Sequence, residues 1–283
     1  MPSSGALAIA ASDSIVNTAF AFITFLLYTG AGFGLLRRMV GGPDAAPGRR
    51  ISLGLGTAGA ACHIGLLLYE AWLGPGLSLG FFGAASVITA LMSALLLLIS
   101  LRRPLESLGA LILPFTGVIV LLDALFAGPT VNAEGLAPGL IVHIVSSVIA
   151  YSMLALAAFH SMLLALQEYR LHHRQPGGFV RLLPPLRAME QILFQMLLLG
   201  FAMLSLSLFT GFVFLEDMFA QHLVHKTLLS IAAWIGFGVL LLGRWRLGWR
   251  GKTAVRWTLG GFLLLMLAYF GSKFVLELLL HYG

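Results

Sequence analysis

The chain has 283 residues, of which 59% are hydrophobic and only 10% charged, and its mean hydropathy is +0.96. No ordinary soluble domain has such a balance, so the composition excludes a water-soluble globular protein and predicts one that lives in a bilayer. Seventeen basic residues against eleven acidic ones give a net charge of +6, a surplus that membrane topology absorbs below and that therefore gives no ground for a nucleic-acid partner.

The first residues, "MPSSGALAIAASDSI", lack the charged n-region of a cleaved signal peptide and lead straight into an apolar run. A hydrocarbon core of about 30 Å takes about 20 apolar residues to cross as a helix. Eight stretches qualify: near 15 to 36, 51 to 73, 80 to 101, 105 to 127, 139 to 168, 191 to 215, 223 to 243 and 255 to 280. They predict an all-α, polytopic helix bundle forming a single transmembrane domain over residues 1–283. In the first span, Gly30, Gly32 and Gly34 mark a face on which backbones can approach closely. In the second, Cys62 is the sole cysteine, so it forms no internal disulfide and reads as a small packing residue beside His63. The fourth holds Pro114, and the fifth opens with His143 and continues through Tyr151 to His160.

The longest connection, about residues 170–190, contains "RLHHRQPGGFVRLLPPLRAMEQ". Its arginines are mixed with apolar residues and broken by Pro176, Pro184 and Pro185, which predicts an interfacial segment on the cytoplasmic leaflet. His172 and His173 within it read as solvated surface histidines. The seventh span begins beside His222, His225 and Lys226. The eighth ends in "KFVLELLLHYG", where Lys273, Glu277 and His281 recur at four-residue steps and share one helix face.

Arg37, Arg38, Arg49 and Arg50, then Arg102 and Arg103, then Arg170 to Arg187, then Arg244 to Arg256 all fall on alternate connections. By the positive-inside rule these are cytoplasmic, and both termini then face outward. Fifteen of the seventeen basic residues are accounted for in this way; the two left on the outer half are Lys226 and Lys273. The same topology puts His143, His222, His225 and His281 near the outer surface and His63 and His160 deeper.

The chain carries no HExxH, no paired-cysteine zinc spacing, no G-x-S-x-G elbow and no P-loop. Hydrolytic chemistry thus lacks a nucleophile, and the expected activity is binding, not catalysis. Imidazoles at one depth in an apolar bundle suit a haem, which takes apolar walls for its ring and histidine nitrogen for its iron. Its two propionates need cations or hydrogen-bond donors, and Lys226 and Lys273 are the outer cations at hand. For Lys273 an i, i+4 ion pair with Glu277 is the plain alternative.

The stretches "PPLRAMEQILFQMLLLGFAMLSLSLFTG" and "HKTLLSIAAWIGFGVLLLGRWRLGWRGKTAVRWTLGGF", with the terminal "HYG", resemble the cytochrome c assembly (CcsA/ResC) family of haem-handling membrane proteins, in particular its YpjD-like inner-membrane branch. The resemblance covers roughly residues 51 to 283 and is most specific at the "GWRG" turn, 248 to 251. It implies that His143 and His281 are the two axial ligands of an outer, non-covalent b-type haem iron, with His63 similar to the first of two deeper membrane ligands. Tyr151, His225, Lys226 and Lys273 join this cofactor site. Two features depart from the family. The second membrane ligand would fall at Leu242, which cannot bind iron, so one haem is expected, with His160 the substitute should there be two. The tryptophan-rich loop is replaced by "LEDMFAQHLVHKT". The implied protein is a multi-pass haem-binding protein of the bacterial inner membrane, its partners haem, the lipid bilayer and, as a candidate, another membrane protein. Two readings stand beside it: a haem-free structural or regulatory member of the same fold, and a transporter of small molecules or ions lined by His63, His160, Lys273 and Glu277.

Overall fold

The computed structural model describes residues 4–42, 47–74, 76–101, 105–126, 128–131, 136–174, 180, 183–214, 224–271, 273 and 274. These residues form helices α1 (Ser4–Gly41), α2 (Arg49–Trp72), α3 (Phe81–Ser100), α4 (Glu106–Leu125), α5 (Pro138–His172), α6 (Leu186–Phe214), α7 (Val224–Leu247) and α8 (Lys252–Met266), the last running on into a π-helical turn at Leu267–Gly271. Strands β1 (Leu77–Ser78) and β2 (Thr130–Val131) pair antiparallel between them, Leu77 opposite Val131. Eight of the described helical segments are long and apolar enough to cross a membrane, one for each predicted span. Large apolar side chains such as Phe20, Leu68, Leu98, Phe209 and Leu263 stand exposed along them, as hydrocarbon-facing surfaces do.

The chain divides into two compact units, Met1–Ala133 and Glu134–Gly283. In the first, α1 packs along both α2 and α4, and α3 packs on α4. Its core gathers Tyr28, Ala31, Leu35, Ala60, Leu97 and Leu113, all buried. The glycines of α1 serve the close approach their spacing predicts: a methyl at Gly32 would run into the ring of Pro114, and one at Gly34 into Ser52. Pro114 lies inside α4 with no N–H to give the helix ladder, and against Gly32 its ring becomes packing surface.

In the second unit α5 and α6 pack along their length, with α8 against α5 and α7. Pro138 starts α5 at a first-turn position, where its missing N–H costs nothing. Helix α6 starts at Leu186, immediately after Pro184 and Pro185, and α5 runs to His172. Both ends of the predicted interfacial segment at 170–190 are therefore helical, because Arg170 to His172 extend one apolar helix and the proline pair opens the next. The reversal between α7 and α8 takes Gly248 at φ 68° and Gly251 at φ 54°, left-handed values that glycine adopts without strain. The N–H of Gly251 donates to the Glu190 carboxylate at 3.0 Å, the Arg244 guanidinium donates to the carbonyl of Trp249 at 3.2 Å, and Trp249 stacks on Trp257 at 5.8 Å.

Candidate functional site

His143 stands in the second turn of α5, half-buried. Its Nδ1 lies 2.8 Å from the main-chain carbonyl of Ser207 on α6. A carbonyl oxygen only accepts, so Nδ1 must carry the proton, and in a neutral ring Nε2 then holds the free electron pair. Two serines brace this arrangement. Ser147 donates to the His143 carbonyl at 2.6 Å and its oxygen lies 2.6 Å from the Ser207 hydroxyl. Each hydroxyl has a single proton, so the Ser207 hydroxyl donates to Ser147 and a directed chain runs from α6 back to the backbone of α5. Nothing in the sequence marks Ser207, since a backbone carbonyl has no residue signature. The only local hint is that Ser147 stands one turn beyond His143.

Tyr151, two turns beyond His143 along α5, donates its hydroxyl to the carbonyl of Leu265 at 2.7 Å, close to where α8 gives way to the π turn. Its ring meets Tyr269 and Phe270 edge-on at 6.2 and 6.4 Å. Lys273 follows the π turn with its ammonium 5.7 Å from the Tyr269 ring centroid, a cation–π contact. The structure thus joins Tyr151 of α5 to Tyr269 and Lys273, more than a hundred residues further along the chain. His225 is exposed and Lys226 half-buried at the start of α7, beside the buried Thr227. His281, the second expected ligand, lies outside the described residues, as do His222 and Glu277.

The two deeper histidines are wholly enclosed. His63 in α2 places Nε2 3.0 Å from the Ser86 hydroxyl and meets the Tyr28 ring edge-on at 6.0 Å. In α5, His160 donates from Nε2 to the carbonyl of Met189 at 2.9 Å. Leu242, where the expected second membrane ligand falls, is exposed on α7. Among the described residues no three His, Cys, Asp or Glu side chains cluster as a metal site.

The chemistry of these groups can be matched to a haem. An axial imidazole needs an Nε2 with its electron pair and a fixed ring, commonly secured by an Nδ1–H bond to a carbonyl; the Nδ1–H bond of His143 to the Ser207 carbonyl meets both conditions. His63 and His160 are enclosed, each with Nε2 hydrogen-bonded and Nδ1 buried without a hydrogen-bond partner.

The family model described as cytochrome C assembly protein matches residues 54–280. The inner membrane protein YpjD of Escherichia coli K12 is 29% identical over 239 residues, covering 82% of this chain and 88% of its own. An uncharacterized 28.8 kDa protein in a nifR3-like 5' region of Azospirillum brasilense is 38% identical over 200 residues, covering 68% and 73%. Protein HemX of Brevibacillus brevis is 27% identical over 134 residues, covering 47% and 49%. No solved structure matches the chain.

Proposed function

The chain belongs to the cytochrome c assembly protein family, and from that membership we propose that it is a haem-handling protein of the bacterial inner membrane, holding one non-covalent haem near the outer leaflet. The membrane assignment draws on the eight spans and on the relative whose name is inner membrane protein YpjD. The observation that carries the haem reading is the His143 ring: its Nδ1–H is committed to the Ser207 carbonyl, so Nε2 presents an electron pair in a fixed direction. His281 is the proposed second ligand, from the far end of the chain. Haem so bound supplies an iron centre able to exchange electrons. The protein's part is binding and orientation without turnover.

Each residue has a separate task in this reading. Ser207 and Ser147 keep the imidazole from rotating and fix its tautomer. Lys273, drawn toward Tyr269, and Lys226 at the head of α7 offer cations to the propionates. Tyr151 anchors α5 to α8 and so sets where Lys273 stands. Absorption spectroscopy of the detergent-purified protein tests the ligands. The wild type should show a Soret band, and H143A and H281A should each lose it while eluting as the same monodisperse species. A Soret band unchanged in the double variant rejects the pair.

The haem-free reading has its own support in Leu242, exposed where a ligand is expected, and in the enclosure of His63 and His160. Wild-type protein that stays colourless after reconstitution with hemin would favour it.

A further inference from the structure

We propose that a cavity at the Arg-rich end of the second unit binds the phosphate group of an anionic membrane phospholipid, a site separate from the imidazoles and independent of any haem. The cavity has a volume of about 270 Å³ and lies between the last turns of α5 and the first turns of α8. One wall presents Lys252 and Arg256, four residues apart and so stacked on the same face of α8. The opposite wall presents Tyr169 and His172, and the floor is Ala165 and Val255. His173 donates from Nδ1 to the Tyr169 carbonyl at 2.8 Å and its ring meets the Tyr169 ring in a tilted contact at 4.2 Å, which braces that wall.

Charge balance favours an anion. The lining has two permanent cations and a single carboxylate, Glu168. That carboxylate lies against Gly251, one oxygen 3.2 Å from where a Cβ would stand, at the N-terminus of α8, where negative charge is favoured by the helix dipole. Lys252 and Arg256 thus bring two permanent cations to the cavity.

Depth and floor favour a lipid as the source of the phosphate. Ala165 is 27 residues along α5 from Pro138, about 40 Å at ~1.5 Å per residue. A hydrocarbon core is only about 30 Å thick, so a helix that enters near Pro138 has reached headgroup level here. Trp249 and Trp257, stacked beside the start of α8, are of the type that anchors at this boundary. The apolar floor can take up glycerol and the first acyl carbons, for which a free phosphate has no use. A choline or ethanolamine group would instead bring a cation toward Lys252 and Arg256.

The test is native mass spectrometry of the delipidated full-length protein titrated with phosphatidylglycerol, with phosphatidylcholine and inorganic phosphate as separate arms. A cation near a lipid phosphate contributes about 1 kcal/mol, so K252Q/R256Q should weaken phosphatidylglycerol binding by about tenfold or more and leave phosphatidylcholine binding unchanged. R37Q/R50Q, with the same loss of charge in the other unit, should change it by less than about twofold. A165L, which fills the floor and alters no charge, should weaken it as well, and decides the matter alone if the double variant does not elute as a single species. Undiminished binding in K252Q/R256Q overturns the proposal. So does an equal loss in R37Q/R50Q, which would reduce the effect to general surface attraction, or saturation by inorganic phosphate with no preference for the lipid.

Discussion

Ser207 matters more to the proposed site than its own chemistry suggests, because it is the Ser207 carbonyl that decides which nitrogen of His143 is free. The placement of His143 at the start of the fifth span was legible from hydropathy and the basic connections. Its hydrogen-bond partner was not, since a bond to a main-chain carbonyl 64 residues away depends on how α5 and α6 pack and leaves no mark in composition. Tyr151 shows the same limit. The resemblance counts it among the cofactor residues, whereas its hydroxyl is engaged with Leu265 at 2.7 Å. Two roles can be separated by Tyr151→Phe, which keeps the ring and removes the donor. Hydrogen bonds between membrane helices average about 0.6 kcal/mol, so an anchoring role predicts a fall in Tm of about 2 °C in detergent with an unchanged Soret maximum. A shifted maximum at constant Tm would put the hydroxyl at the cofactor instead.

At the level of whole elements, the eight spans were readable because a bilayer sets a minimum apolar length and each run meets it. Their ends were less so. Helix α6 begins at Leu186, five residues before the apolar run near 191, since a proline pair is a better helix opener than hydrophobicity alone can indicate. The π turn at Leu267–Gly271 and the two-residue strands lack any periodic signal and were invisible. Glu190 was read as part of an interfacial segment, yet it holds the Gly251 N–H at the start of α8. The glycines of α1 were legible as a packing face, but not in their ranking, which depends on what each one meets. Gly32 abuts the Pro114 ring, while a Cβ at Gly30 would find its nearest neighbour, Leu55, at 3.9 Å. Gly32→Ala should therefore cost about 1–3 kcal/mol as an overpacked contact and lower the Tm by several degrees. Gly30→Ala should leave it unchanged or slightly raised. Equal effects at the two positions would mean that α1 and α4 do not cross at Gly32.

Over the whole molecule, the functional reading depends on which surface the His143 end of α5 faces. Charge asymmetry between connections argues that this end is extracytoplasmic and that the lipid-phosphate cavity at the far end of the same helix is cytoplasmic. Both proposals thus share one orientation, and the sole cysteine, Cys62, makes it measurable. In a Cys62→Ala background, single cysteines replacing Leu73 and Ala137, both exposed, mark one surface, and replacements of Arg174 and Arg250, also exposed, mark the other. A membrane-impermeant maleimide added to intact cells should label L73C and A137C, and should reach R174C and R250C only after lysis. The reverse pattern would move His143 to the cytoplasmic leaflet and the cavity to the outer one. Haem would then have to be acquired from the cytoplasmic side, and Lys226 and Lys273 would become ordinary inner-surface cations needing no cofactor to explain them. Labelling of all four in intact cells would mean instead that the connections are not confined to alternate sides, leaving the charge pattern without a topological cause.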